Sequence, residues 1–234
     1  MGSSVCTITV TRRPFMWAHA AENVLRQVLR PSLALIAIHG DYSGWDKFTK
    51  PVHAAGIPVL VVFVDASKSA GELTNEATTQ AAEVAPDALV CKFDDDDYYG
   101  ADYLQAMHSA WQAHPDAWVL GKSAYTVRYV GGVKDGKTDS DAGRIIDADG
   151  HCTAIAGSTF CIPADRWNRF DNFRYPNIGL GCDGALIQKA SWIMSNIGIQ
   201  HPQPFYHVEN AGFELLRYLN VWHGHHWQRP EDYV

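Results

Sequence analysis

Apolar residues in the first hundred positions fall into short continuous runs divided by longer mixed segments. Val5-Cys6-Thr7-Ile8-Thr9-Val10, Leu33-Ala34-Leu35-Ile36-Ala37-Ile38, Pro58-Val59-Leu60-Val61-Val62-Phe63-Val64 and Ala88-Leu89-Val90-Cys91-Lys92-Phe93 are the four clearest. They are short and mostly rich in β-branched or bulky apolar residues, so each predicts a buried strand. Between them, Pro14 suits the first turn of a helix reaching about Leu29, Ser43 to Ala55 predicts a loop with a short helix, and Glu72 to Ala85 predicts a helix of small residues. This alternation predicts an α/β fold built on a mostly parallel sheet with helices on both faces. Ligands of such sheets bind beyond the carboxyl ends of the strands.

After residue 100 the pattern changes. Asp102 to His114 predicts a helix, and Trp118 to Val130 alternates as strands do. Lys134 to Gly150 is polar and glycine-rich, which predicts a loop or hairpin tip. Ala154 to Ile162 predicts a strand and Cys182 to Asn196 a helix, while the aromatic, histidine-rich tail shows no clear period. No internal repeat or low-complexity tract divides the chain, so residues 1–234 are expected to form a single domain whose halves, 1–100 and 101–234, differ in role.

With 19 Lys plus Arg against 26 Asp plus Glu, the net charge of −7 gives no footprint for nucleic acid or an anionic membrane surface. The five cysteines (Cys6, Cys91, Cys152, Cys161, Cys182) are scattered and lack C-x-x-C spacing, which predicts free thiols in a reducing compartment. The amino terminus lacks the basic-then-apolar layout of a secretory signal, and the longest apolar run, Pro58 to Val64, is far short of a membrane span. The expectation is a cytoplasmic protein without stable membrane insertion.

The chemistry begins at Cys91-Lys92-Phe93-Asp94-Asp95-Asp96-Asp97-Tyr98-Tyr99-Gly100. Four adjacent carboxylates repel one another, and burying them unpaired is costly. They stand just after the fourth strand, at the edge where a charged ligand would lie. Carboxylates attract hard divalent cations such as Mg2+ and Mn2+, and Mg2+ is commonly held by one or two carboxylates together with substrate phosphates. Two overlapping D-x-D frames exist here, 94/96 and 95/97, which favours a metal-diphosphate site over an acidic surface turn. A Walker phosphate loop and an EF-hand are both absent.

Thr11-Arg12-Arg13-Pro14 after the first strand, Gly71-Glu72-Leu73-Thr74-Asn75 before the fourth, and Phe93-Asp94-Asp95-Asp96-Asp97-Tyr98-Tyr99-Gly100 at its end together resemble the nucleotide-sugar-dependent glycosyltransferases of family 2 type, with the GT-A fold. Three later segments agree. Ala156-Gly157-Ser158-Thr159-Phe160-Cys161-Ile162 resembles an acceptor-side strand, Gly181-Cys182-Asp183 stands where the family has a Glu-Asp motif opening a helix, and Phe205-Tyr206-His207-Val208-Glu209 resembles a late Tyr-His segment. The resemblance implies a donor-binding first half and an acceptor-binding, catalytic second half. It implies a metal site of Asp94, Asp96, Asp97 and His207 holding Mn2+ or Mg2+, with Asp96 as the direct ligand. Donor contacts would come from Thr11, Arg13, Asp41, Lys68, Asn75, Asp94 and Asp95. Asp183 would be the general base of an inverting transfer, although Cys182 replaces the family's usual Glu and an Asp there equally suits a helix N-cap.

Other assignments stay open. The cluster His223, His225 and His226 rivals His207 as metal ligand. Trp167, Tyr175, Trp192, Trp222 and Trp227 include candidates for a sugar-stacking platform, and Lys122, Arg128, Lys134, Lys137 and Arg144 for a basic strip. The expected donor is a nucleotide sugar, UDP-linked in the first instance. The acceptor is open between a glycan, a protein, a small molecule and a hydroxylated DNA base. A nucleotidyltransferase and a non-catalytic glycan- or metal-binding module are the competing readings.

Overall fold

A computed structural model describes residues 4–40, 43–130, 133–134, 137–138, 145–146, 155–178, 182–197, 205–208 and 212–218. The first half runs β1 (Ser4–Thr11), α1 (Trp17–Leu25), β2 (Leu33–His39), α2 (Asp46–Ala54), β3 (Val59–Val64), α3 (Ala70–Val84), β4 (Ala88–Asp94). The second half follows with β5 (Tyr98–Tyr99), α4 (Tyr103–Ala113), β6 (Val119–Gly121), β7 (Thr126–Val130), β8 (Val133–Lys134), β9 (Lys137–Thr138) and β10 (Ile145–Ile146). It closes with β11 (Cys161–Pro163), α5 (Ala164–Arg169), α6 (Cys182–Asn196), β12 (Phe205–His207) and β13 (Phe213–Tyr218).

Seven strands make the main sheet in the order β12-β6-β11-β4-β1-β2-β3. β3, β2, β1 and β4 pair in parallel, β11 is antiparallel to both β4 and β6, and β12 is parallel to β6. A second sheet, β10-β7-β13-β5, stands beside the end of β4. The helices divide between the two faces of the main sheet. Ile8, Leu35 and Val90 pack on one side with Leu73 and Ala77 of α3, Trp167 of α5 and Leu186 of α6. Ile36, Ile38, Leu89 and Phe93 pack on the other with Trp17 of α1, Phe48 of α2 and Leu104 of α4. Burial on both faces explains why these strands read as continuous apolar runs rather than alternating ones.

The four strands expected in the first half are all present. Several boundaries move for identifiable reasons. The expected Pro14–Leu29 helix opens as a 3-10 turn (Pro14–Met16), and α1 stops at Leu25 because Val28 donates its N–H to Ala101 O at 2.8 Å instead of continuing the helix. α3 starts two residues earlier than expected, since Ser69 and Glu72 cap it reciprocally. The expected Ala154–Ile162 strand is interrupted by a 3-10 turn at Gly157–Thr159, where the Thr159 hydroxyl donates to Ala156 O at 2.7 Å and competes with sheet pairing. The short helix α5 and the strand β12 carried too few residues for their pattern to register as elements, and β13 falls in the tail, where the sequence shows no clear period.

Candidate active site

β4 delivers the aspartates to the carboxyl edge of the sheet. The chain turns back there, with Asp97 N–H reaching Asp94 O at 3.4 Å. The carboxylates of Asp94, Asp95 and Asp96 are each met by a cation. Asp95 is 1% exposed and accepts the Thr11 hydroxyl and two nitrogens of Arg13, Nε at 2.9 Å and Nη2. Arg13 Nη1 donates to Asp96 Oδ2 at 3.0 Å. The register makes this possible: Val10 lies opposite Asp94 in the parallel β1–β4 pair, so the residues after β1 meet the residues after β4. The repulsion expected from four bare carboxylates is therefore largely offset by Arg13 on one side and by Lys92, 3.2 Å from Asp94 Oδ1, on the other.

The far end of the turn is held by α1. Asp97 is buried, and its carbonyl accepts Asn23 Nδ2 and His19 Nε2, each at 2.8 Å. Asn23 Oδ1 accepts the Tyr99 N–H at 3.2 Å. The Tyr99 hydroxyl accepts the Asp94 N–H at 2.8 Å and donates to Ser158 O at 2.7 Å, tying the aspartate turn to the Gly157–Thr159 turn. Burial, reinforced by the nearby Asp94 and Asp97 charges, keeps this phenol well above its ordinary pKa, so it stays a neutral donor.

Asp183 belongs to the same edge. It lies in the first turn of α6, after Cys182, rather than capping the helix as an N-cap. Its Oδ1 is 3.5 Å from Lys92 Nζ, which also lies 3.4 Å from Gly157 O. Burial opposes the Lys92 charge, yet Asp94 and Asp183 overcome it and hold the ammonium pKa well above the usual lysine value. Gly157 is required for the fit: a Cβ there would lie 2.0 Å from Asp183 Oδ2. Lys92 is the site residue that sequence reasoning missed. Its signal was present as the one charge inside an apolar strand.

The other candidates separate. Asn75 spends its side chain on the loop before α6, donating to Tyr175 O at 2.9 Å and accepting Tyr175 N–H at 2.8 Å. That loop also covers the start of α3, where a Cβ on Gly71 would sit 2.0 Å from Pro176 O. Lys68 is on the surface, 3.3 Å from Glu72. Lys122 is buried, its Nζ 3.4 Å from Val208 O. Trp167 and Tyr175 are core residues, whereas Trp192 is exposed on α6. Asp41, Trp222, Trp227, the histidines at 223, 225 and 226, Arg144 and the side chains of Arg128, Lys134 and Lys137 lie outside the described residues.

His207 ends β12 opposite Gly121, and its Nδ1 is buried with no hydrogen-bond partner among the described residues. Among those residues no three His, Cys, Asp or Glu side chains converge as a metal-binding group. The aspartate turn still has the donor chemistry for a hard cation, because Asp94 and Asp96 are partly exposed carboxylates that meet Lys92 and Arg13 through one oxygen each, Oδ1 and Oδ2 respectively. Among the described residues no helix is long and apolar enough to cross a membrane.

This sheet order, with its antiparallel β11 beside β4, is the GT-A fold, and solved glycosyltransferase structures share it. The first 349 residues of S. aureus TarS superpose with a TM-score of 0.59 at 12% identity, over 91% of this chain and 60% of that one. The mannosyltransferase PcManGT from Pyrobaculum calidifontis, in complex with GDP-Man and Mn2+, gives 0.57 at 11% identity over 92% and 57%. GalNAc-T7 with UDP, GalNAc and Mn2+ gives 0.61 at 11% identity, over 94% of this chain and 45% of its own. The chain thus spans roughly half the length of these solved chains. No protein-family model and no curated protein matches it by sequence.

Proposed function

We propose that this protein is a metal-dependent glycosyltransferase that moves a sugar from a nucleotide-sugar donor to an acceptor hydroxyl with inversion. The observation that carries this reading is the juxtaposition, at the carboxyl edge of the sheet, of the Asp94–Asp97 turn and the Asp183 carboxylate across one lysine. Asp94 and Asp96, with His207 as the further candidate, would hold Mn2+ or Mg2+. The cation would supply charge neutralisation at the donor diphosphate. That neighbouring folds were solved with UDP, GDP-Man and Mn2+ supports the same chemistry.

The protein's own groups take these parts. Arg13 and Thr11 order the turn that faces the diphosphate, and Arg13 is itself a cation within reach of it once freed from Asp96. Asp183 accepts the proton of the acceptor hydroxyl as that oxygen bonds the anomeric carbon. The bond from the anomeric carbon to the diphosphate breaks on the opposite face, and the diphosphate leaves with the electron pair. Asn75 is not needed for this reading, since Tyr175 engages its side chain, while Lys68, exposed just before α3, stays a candidate donor contact.

The test is a panel of UDP- and GDP-sugars and nucleoside triphosphates incubated with the protein and Mn2+, with binding, free nucleotide, free sugar and pyrophosphate measured, followed by acceptor screening with the best donor. Metal-dependent release of nucleoside diphosphate is the expected result. Nucleotide and Mn2+ binding with no turnover of any donor would instead mark a binding module on the same fold, and release of pyrophosphate from a nucleoside triphosphate would mark a nucleotidyltransferase.

A further inference from the structure

We infer that Lys92 is a positioning residue, fixing the Asp183 carboxylate in register with the aspartate turn so that the donor and acceptor sides of the site are set by one ammonium group. This rests on the reading of Asp183 as the base proposed above. Three observations carry it. Lys92 Nζ is 3.2 Å from Asp94 Oδ1, 3.5 Å from Asp183 Oδ1 and 3.4 Å from Gly157 O, so three segments of the chain meet on one nitrogen. Its side chain is 11% exposed, whereas Asp94 and Asp183 are 31% and 32% exposed, so the cation is sequestered while both carboxylates keep an open side. The Asp183 carboxylate is confined from the opposite direction by Gly157, whose Cα leaves no room for a methyl group.

The sheet explains how a lysine reaches this position. Side chains alternate along β4, so Val90, Lys92 and Asp94 project on the α3, α5 and α6 face while Leu89, Cys91 and Phe93 project on the other. Lys92 is therefore the last long side chain before the turn on the face that α6 covers. An ammonium offers three donors, matching the three oxygens gathered around it. Asp183 is thereby held at both oxygens, Oδ1 by Lys92 and Oδ2 against Gly157, while about a third of its side chain stays exposed on the remaining side. A proton acceptor misplaced by about 1 Å loses on the order of 10²-fold in rate, so the clamp matters even though Lys92 touches no reacting atom.

The experiment compares wild type with Lys92→Met, Lys92→Arg, Gly157→Ala and Asp183→Asn, and adds the double variant Lys92→Met/Asp183→Asn. In transfer assays Lys92→Met is expected to lose about 10–100-fold in kcat with the acceptor KM nearly unchanged. Lys92→Arg should recover part of that loss, because it keeps the charge and several donors. Gly157→Ala, which leaves Lys92 in place but pushes Asp183 aside, should reproduce the kcat loss. Wild-type kcat in a folded Lys92→Met protein would overturn the inference. The thermal-melting cycle formed by Lys92→Met, Asp183→Asn and the double variant reads the contact without any assay of activity. Non-additive melting shifts support the clamp, and additive shifts refute it. Failure of the wild type to turn over any donor would remove the glycosyltransferase reading, and the melting cycle would then decide the Lys92–Asp183 contact by itself.

Discussion

Arg13 and Lys92 explain how four consecutive aspartates can sit at a structured edge. Removing Arg13 would leave Asp95, 1% exposed, with the Thr11 hydroxyl as the remaining partner among the side-chain contacts described above. Arg13→Met is therefore expected to destabilise the protein by about 3–5 kcal/mol, measured by urea denaturation. Asp183→Asn should behave in the opposite way. Asp183 is about one-third exposed and Asn fits the same space, so melting should stay within a few degrees of wild type. Acceptor transfer should fall about 10²–10⁴-fold, the usual worth of a general base. Near wild-type transfer by that variant would remove the assignment. The Lys92 pairing is insensitive to pH through the neutral range. Its pKa is raised on folding, so its contribution to stability is fully present below the ordinary lysine value of about 10.4 and is lost only as alkali titrates the folded ammonium.

Among the elements, α3 and the loop leading to α6 act as one unit. Asn75 bridges both backbone groups of Tyr175, and Gly71 N–H donates to Ile178 O at 3.3 Å. Asn75→Ala strands a partly buried carbonyl and amide, which costs about 1–3 kcal/mol. Denaturation should report that loss, while the affinity for a nucleoside diphosphate, read by calorimetry, should change little. The reverse pattern, weak nucleotide binding with intact stability, would return Asn75 to the donor site. The motif Gly71-Glu72-Leu73-Thr74-Asn75 was visible in the sequence, but its partner Tyr175 lies 100 residues away. Local pattern therefore could mark Asn75 as special without saying for what. The opposite holds for Ser69 and Glu72, whose capping box is local and sets where α3 begins.

At the scale of the whole molecule, any cation and nucleotide that bind only the folded state must raise its melting temperature. Mn2+ with UDP at about 100 times the dissociation constant should stabilise by about 2.7 kcal/mol, a shift of several degrees for a chain of this size. Asp96→Asn should abolish most of that shift in differential scanning fluorimetry, and a full shift retained by the variant would place the cation elsewhere. The sequence alone determined the alternating strands and helices of the first half and the position of the aspartates at the sheet's carboxyl edge. Those features depend on local periodicity and on turn chemistry, which are written in consecutive residues. Only the tertiary structure decided which charges meet. Arg13 reaches Asp95 across 82 positions and Lys92 reaches Asp183 across 91. Such pairings follow from strand register and from which sheet face a helix covers, and burial makes them selective, because a charge taken out of water without its partner is strongly destabilising.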